Sequence, residues 1–277
     1  MILTIYPQKN DVEPQDFGVR TVGRLNILGL QTLIRREILR FMRVVMQTIF
    51  APVLTAVMFL AVFSLALGAD RPNVLGVNFM VFLAPGLLMM TMLQNAFANS
   101  SSSLLQAKMM GTIVDLLMPP LGPGELLFAL VLGAIARAML ICVLGIAIIV
   151  PFEQLPVAEP WAILAFGLLG SSLMAFLGVL AGLWADKFDH LAAVTNFVIT
   201  PLTFLSGTFY LIERLPGALY HAAQFNPFFY LIDGFRYGFL GEADSNLAVG
   251  VAVLLLSNLI LAMATVVTMK RGWRIKS

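Results

Sequence analysis

The stretch LLFALVLGAIARAMLICVLGIAIIV, residues Leu126–Val150, runs for 25 residues with a single charge, Arg137. An apolar run of that length matches the roughly 30 Å hydrocarbon core of a bilayer when coiled as a helix. Five further windows read the same way: Ile49–Leu67, Phe79–Ala98, Trp161–Ala185, Leu191–Ile212 and Leu247–Met269. The bilayer interior offers no water to backbone amides, so each window is expected to be a helix. The alternating pattern of a membrane barrel is absent.

The rest of the composition agrees. Of 277 residues 60% are hydrophobic and 12% charged, and the mean hydropathy is +0.92. A soluble domain carries about 25% charged residues, and a disordered chain is poor in apolar ones. Both classes are excluded. The lone cysteine, Cys142, lies in an apolar run and offers no internal disulfide.

The basic residues orient the chain. Thirteen of the 17 Lys and Arg fall on one side of the six windows: Lys9, Arg20, Arg24, Arg35, Arg36, Arg40, Arg43, Lys108, Lys187, Lys270, Arg271, Arg274 and Lys276. Only Arg71, Arg214 and Arg236 fall on the other. By the positive-inside rule both termini are expected in the cytoplasm, which requires an even number of crossings. The stretch Leu211–Leu240 invites a seventh span, but Glu213, Arg214, Pro216, Pro227, Asp233 and Arg236 interrupt it. It is expected instead to be a partly inserted or interfacial helical hairpin on the outer side. No compact apolar core with a cleavage site precedes span 1, which is therefore expected to act as an uncleaved anchor.

Several segments between the spans carry patterns of their own. In Leu30–Gln47 the residues Leu30, Leu33, Ile34, Ile38, Phe41, Met42 and Val45 recur at helical spacing, with Arg36, Arg40 and Arg43 on another face. Such a helix lies in the membrane interface with its arginines near anionic headgroups; it serves as a topology anchor or passes force into span 1. After span 2, Asn99 and Ser100–Ser103 offer N-caps for a helix over Leu104–Met118, stopped by Pro119 and Pro120. Its apolar face of Leu105, Met109, Ile113, Leu116 and Leu117 reads as a docking surface for another protein, or else packs under its own bundle. In span 4, Gly178 and Gly182 form a G-x-x-x-G step that allows close helix approach, most simply within the chain.

Arg137 is the one charge deep in a window, and an intramembrane charge is a functional candidate by default. Gln94, Asn95 and carbonyls freed near Pro85 are its candidate partners, and it serves either as a polar anchor or in a transport path. Catalytic constellations are absent. His190 and His221 fall on opposite sides of the membrane, and no Lys follows a Gly, so the G-K step of a phosphate-binding loop does not occur.

Together these stretches resemble the ABC-2 family of ATP-binding-cassette transporter permeases. The matching segments are Phe82-Leu-Ala-Pro-Gly-Leu-Leu-Met-Met90, Gly111-Thr-Ile-Val-Asp-Leu-Leu-Met-Pro-Pro-Leu121 and Leu205-Ser-Gly-Thr-Phe-Tyr210. Asn226-Pro-Phe-Phe-Tyr-Leu-Ile-Asp-Gly-Phe-Arg236 and the basic tail complete the set. The resemblance implies one all-α permease domain over 1–277, with a cytoplasmic segment 1–29, a connecting helix 30–47, a six-span core 49–269 and a tail 270–277.

It further implies a second permease, an identical copy, two separate ATPase subunits that bind ATP and Mg, and export across a bacterial inner membrane. This chain itself binds no cofactor or metal and no nucleic acid; its other partner is membrane lipid. The family's coupling helix maps onto Ser101–Met118, so Leu105, Lys108, Met109, Gly111, Thr112, Ile113, Asp115 and Leu116 are expected at the ATPase contact. Gln106 and Ala107 stand where many members have acidic and basic residues. Phe204, Phe209, Tyr210 and Arg137 are candidates for the translocation path, and Asn226, Pro227, Asp233 and Arg236 for the re-entrant region. The expected cargo is amphipathic, lipid-linked or hydrophobic: a glycan, lipid or drug. Two other classes stay open. An intramembrane enzyme or scaffold would use Asp233, Arg236 and His221, although on a helix Asp233 and Arg236 would simply pair. An ATP-independent transporter would be expected to show midplane carboxylates or an internal repeat, and neither is found.

Overall fold

The computed structural model describes residues 26–67, 74, 76–211 and 216–272. The side chains of Leu67, Leu117, Ala218, Leu219, His221 and Ala222 are outside that description. So are Lys9, Arg20, Arg24, Arg71, Glu213, Arg214, Arg274 and Lys276, with the expectations that rest on them.

The described residues form helices joined by short turns, with one isolated bridge between Val74 and Val77. Helix α1 (Ile27–Met42) starts at Asn26, whose side chain accepts from the Gly29 amide at 3.0 Å. A π-helical turn, Met46–Phe50, leads into α2 (Ala51–Leu67). Helix α3 (Phe79–Met109) is capped by Asn78, and α4 (Ile113–Leu117) follows after Gly111 at φ +70°. Helices α5 (Pro123–Glu153) and α6 (Pro160–Trp184) each begin with proline, whose missing N–H is one that the first turn leaves unpaired anyway. Then come α7 (Phe188–Val194), a second π turn (Thr195–Ile199) and α8 (Thr200–Phe204). Helices α9 (Gly217–Gln224), α10 (Pro227–Leu240) and α11 (Leu247–Lys270) complete the chain.

Five helices among the described residues are long and apolar enough to cross a membrane: Met46–Ala66, α3, α5, α6 and α11. Each overlaps an expected window. The window Leu191–Ile212 behaves differently. Its rod, residues 188–204, reaches only about 25 Å at 1.5 Å per residue, and the irregular turn 205–211 follows.

Helices α3 and α6 form the centre. Gly178 and Gly182 let α6 lie against α3 so closely that an added Cβ would meet Phe97 O at 2.6 Å and Ser101 O at 2.8 Å. The G-x-x-x-G step thus serves intramolecular packing, as its spacing suggested. A second such pair, Gly234 and Gly238 of α10, seats that helix on Phe166 and Ile163 of α6. By contrast the π turn and α2 bury, among the described side chains, only the stripe Ile49, Val53, Ala56 and Leu60, while Phe50, Leu54, Met58, Phe59, Val62 and Leu65 are exposed. Helix α11 is similarly bare, with Gly250, Leu254, Thr265 and Met269 buried.

One boundary differs from expectation. Asn99–Ser103 does not start a new helix but lies inside α3. The hydroxyls of Ser100, Ser101 and Ser102 donate to carbonyls three or four residues back, Ser101 to Phe97 O at 2.7 Å for example, and Ser103 donates to Glu37 of α1. That satisfies them without breaking the ladder. Their small size also suits the contact with α6, since an added Cβ at Gly178 would strike Ser100. The segment expected to couple is therefore an extension of the second apolar helix, followed by the short α4.

Candidate functional site: a lateral cleft, the turn that closes it and an exposed tip

Where α2 stands off the bundle, a cleft of 430 Å³ opens between α2, α3 and the end of α8. Its lining changes character along its length. Thr55 of α2 and Thr91 and Gln94 of α3 line one end; Phe63, Phe79, Phe204 and Phe209 line the other. The Thr55 and Thr91 hydroxyls donate to Ala51 O and Leu87 O at 2.9 and 2.8 Å, which leaves their oxygens as acceptors. At the aromatic end Phe209 stacks on Phe204 (centroids 5.0 Å apart) and leans on Phe63 at 5.8 Å. The structure thus brings Phe204 and Phe209 together in the cleft. Tyr210 and Arg137, expected with them, are not among the lining residues.

The turn that carries Phe209 is held by the hairpin α9–α10. A helix leaves its last carbonyls without intrahelical partners, and α8 ends among buried residues, Thr203, Ser206 and Thr208. Asn226 supplies donors: its Nδ2 reaches Leu202 O at 3.2 Å and Ser206 Oγ at 2.9 Å, while its Oδ1 caps α10 by accepting from Phe228 N. Pro227 follows at the first position of α10. Arg236, buried to 2% exposure, donates from Nη2 to Gly207 O at 2.7 Å and lies 3.9 Å over the ring of Phe82. Gly86 makes room, since an added Cβ there would sit 2.8 Å from Thr208 O and 3.2 Å from Arg236 Nη2.

The expected pairing of Asp233 with Arg236 does not form. Asp233 accepts from Asp244 N, Ser245 N and Ser245 Oγ at 2.8, 2.9 and 2.6 Å, closing the turn before α11. Spacing of three residues brings two side chains to neighbouring positions, but each meets its hydrogen-bond partners off the helix. Both charges hold backbone in place, and neither faces the other across an open site.

At the opposite end of α3 a second polar cluster joins α1 to the core. Glu37, 1% exposed, accepts from Ser103 Oγ at 2.9 Å and pairs with Arg40 at 3.2 Å. Arg40 also donates to Asn99 O at 2.8 Å and to Asn99 Oδ1 at 3.1 Å. Of the three arginines expected to face headgroups, Arg36 and Arg43 are exposed and Arg40 turns inward. The buried carboxylate of Glu37, which the periodicity of the helix did not single out, is the reason. Arg137 of α5 donates from Nε to Thr48 O at 3.2 Å and from Nη2 to Asn95 Oδ1 at 2.6 Å. Asn95 was among its expected partners. The carbonyl comes from the π turn ahead of α2 and not from the region of Pro85.

The tip between α3 and α4 differs from the expected docking face in its details. Leu105 and Leu116 are buried at 0% and 4% exposure. Lys108 also turns inward: its Nζ donates to Leu183 O and Ala185 O at 2.9 and 2.7 Å, capping α6, and lies 3.7 Å from Asp186. A long flexible cation beside the free carbonyls of a helix end satisfies them. What protrudes is Met109, Met110, Gly111, Val114, Asp115 and Met118, with Thr112 and Ile113 half-buried. Helical spacing cannot predict this face, because Gly111 at φ +70° breaks the helix and rotates α4 against α3.

Comparison with known proteins places these features in context. The sequence profile described as ABC-2 type transporter matches residues 29–240. The chain is 36% identical over 231 residues to the inner membrane transport permease YadH of Escherichia coli (strain K12), covering 82% of this chain and 89% of that one. It is 27% identical over 243 residues to Nodulation protein J of Rhizobium leguminosarum bv. viciae, covering 86% and 92%.

Proposed function

Because the chain belongs to the ABC-2 type transporter family, a family of membrane transport permeases, we propose that it is the membrane-spanning subunit of an exporter driven by a separate ATPase. The observation that carries this reading is the projecting tip. Helix α3 spans about 46 Å at 1.5 Å per residue, against roughly 30 Å of hydrocarbon. About ten residues therefore stand beyond the membrane, and they end in an exposed apolar cap of Met109, Met110, Val114 and Met118. A methionine-rich apolar surface adapts to a partner groove, and Asp115 adds one charge at its edge. In this reading the tip is the coupling helix and lies in the cytoplasm with both termini, at an inner membrane. Two ATPase copies bind ATP and Mg and push on it.

The sixth crossing is the rod 188–204 continued by the turn 205–211, an arrangement supported by the excess of basic residues on one side. Two permease copies meet along the sparsely packed face of α2, with the cleft forming part of the path between them. Its polar end at Thr55, Thr91 and Gln94 and its aromatic end at Phe63, Phe204 and Phe209 suit an amphipathic or lipid-linked cargo. Force passes from the tip through the cluster of Glu37, Arg40, Asn99 and Ser103 into α1 and span 1. The charges Asp233 and Arg236 are engaged in holding turns, which favours this reading over an intramembrane enzyme.

Co-expression with a candidate ABC ATPase subunit, followed by co-purification, tests the proposal. Val114→Asp, an exposed substitution that leaves the packing intact, is expected to reduce ATPase recovery at least tenfold at unchanged permease level. Undiminished recovery would refute the docking assignment.

A further inference from the structure

Among the described residues, one arginine is fully packed at the α10 end of the bundle without forming an ion pair there. The sequence offers Asp233 as its partner, and the structure gives Asp233 to residues 244–245 instead. Arg236 spends its hydrogen bond on a backbone carbonyl, Gly207 O, and its cationic face on Phe82. A guanidinium held this way is expensive to bury, and a methylene side chain would fill the same space more cheaply. The turn it grips is the one that lays Phe209 between Phe63 and Phe204. Asn226 grips the same turn one step earlier, at Leu202 O and Ser206 Oγ. Two side chains of one hairpin thus hold the carbonyls of a single turn, and Gly86 of α3 is bare where that turn passes.

We propose that Arg236 and Asn226 form a latch: they are positioning residues that hold the 205–209 turn so that its phenylalanines close the aromatic end of the cleft. This rests on the reading of the cleft as the cargo path. When the hairpin shifts, Leu202 O loses the Asn226 donor and keeps that of Ser206 Oγ, Gly207 O loses the Arg236 donor, and the turn lifts with Phe209 away from Phe63. Arg236→Lys keeps a charge and one donor but loses the flat contact with Phe82, so it weakens the latch without abolishing it.

The chain supplies its own control. Thr208 is a fully buried residue of the turn itself, and the single native cysteine, Cys142, is buried within α5 at 1% exposure. In the full-length permease carrying Thr208→Cys, reconstituted in lipid nanodiscs, a water-soluble maleimide should label neither cysteine quickly. Adding Arg236→Gln is expected to raise the labelling rate at position 208 at least fivefold and leave Cys142 unlabelled. Two further variants approach the same turn differently. Asn226→Asp keeps the helix cap but removes the donor, and Gly86→Ala pushes on Thr208 O from the opposite side. Each should raise labelling at 208, Arg236→Lys should give an intermediate rate, and Asp233→Asn, which touches another turn, should not change it.

Unchanged labelling at 208 in the folded Asn226→Asp and Gly86→Ala variants would overturn the latch. So would labelling of Cys142 in step with position 208, which signals general loosening. The readout needs no cargo or ATPase. Labelling that rises while ATP-driven export stays normal would therefore keep the latch and remove the cleft from the path.

Discussion

Arg137 shows how far a single residue can be read. An isolated cation within an apolar window announces itself, and the amide of Asn95 was within reach of sequence reasoning. The second partner was not, because a π turn ahead of α2 leaves Thr48 O outside the regular ladder, and nothing in the composition of Met46–Phe50 marks such a turn. The pair of bonds ties the π turn at the start of α2 to both α3 and α5. A double-mutant cycle of Arg137→Leu and Asn95→Leu, read by thermal unfolding in detergent, is expected to give a coupling of about 0.6–1.7 kcal/mol. A coupling indistinguishable from zero would show that the contact contributes nothing. Glu37 makes the complementary case. Glu37→Ala leaves Ser103 without its acceptor and Arg40 without its ion-pair partner, and should lower stability by about 1–3 kcal/mol. The exposed neighbour change Arg36→Ala should stay within about 0.5 kcal/mol.

At the scale of elements, long apolar runs translate directly into helices, and each of the five spanning helices overlaps its expected window. Hydropathy alone set the bounds of the windows; the caps at Asn78, at Pro123 with Glu125 and at Asn246 show where α3, α5 and α11 begin. The serine run in α3 misleads. Serine is a good cap, but here the hydroxyls of Ser100–Ser102 bond back within the helix, that of Ser103 goes to Glu37, and the small volume of the run admits α6. Gly178→Val should therefore disrupt the α3–α6 contact, lowering stability by at least about 2 kcal/mol. Gly124→Ala, where an added Cβ meets nothing within 4 Å, should be neutral. Unfolding midpoints of the two variants distinguish a packing role from a simple preference for glycine in membrane helices.

Across the whole molecule, burial is uneven: α3 and α6 are enclosed, while α2 and α11 show most of their surface. Exposure alone suits lipid, but only α2 borders the cleft with its polar end. A photo-crosslinking residue in place of Phe59 is expected to capture a second copy of the chain, and the same residue in place of Leu256 on α11 to capture none. Equal behaviour at both sites would place the dimer contact elsewhere.

The sequence by itself determined that this is a helical membrane protein, where most of its spans lie, and which family it belongs to. These follow from local quantities: hydropathy over twenty residues, the positions of basic side chains, and motifs read in order. Only the tertiary structure decided how the polar residues pair. It turned Lys108 and Arg40 inward, separated Asp233 from Arg236 and rotated the tip at Gly111. Each outcome depends on which carbonyls and donors other helices leave unpaired. That is a long-range property, because desolvated polar groups take the best partner that packing brings within reach, whatever the spacing along the chain.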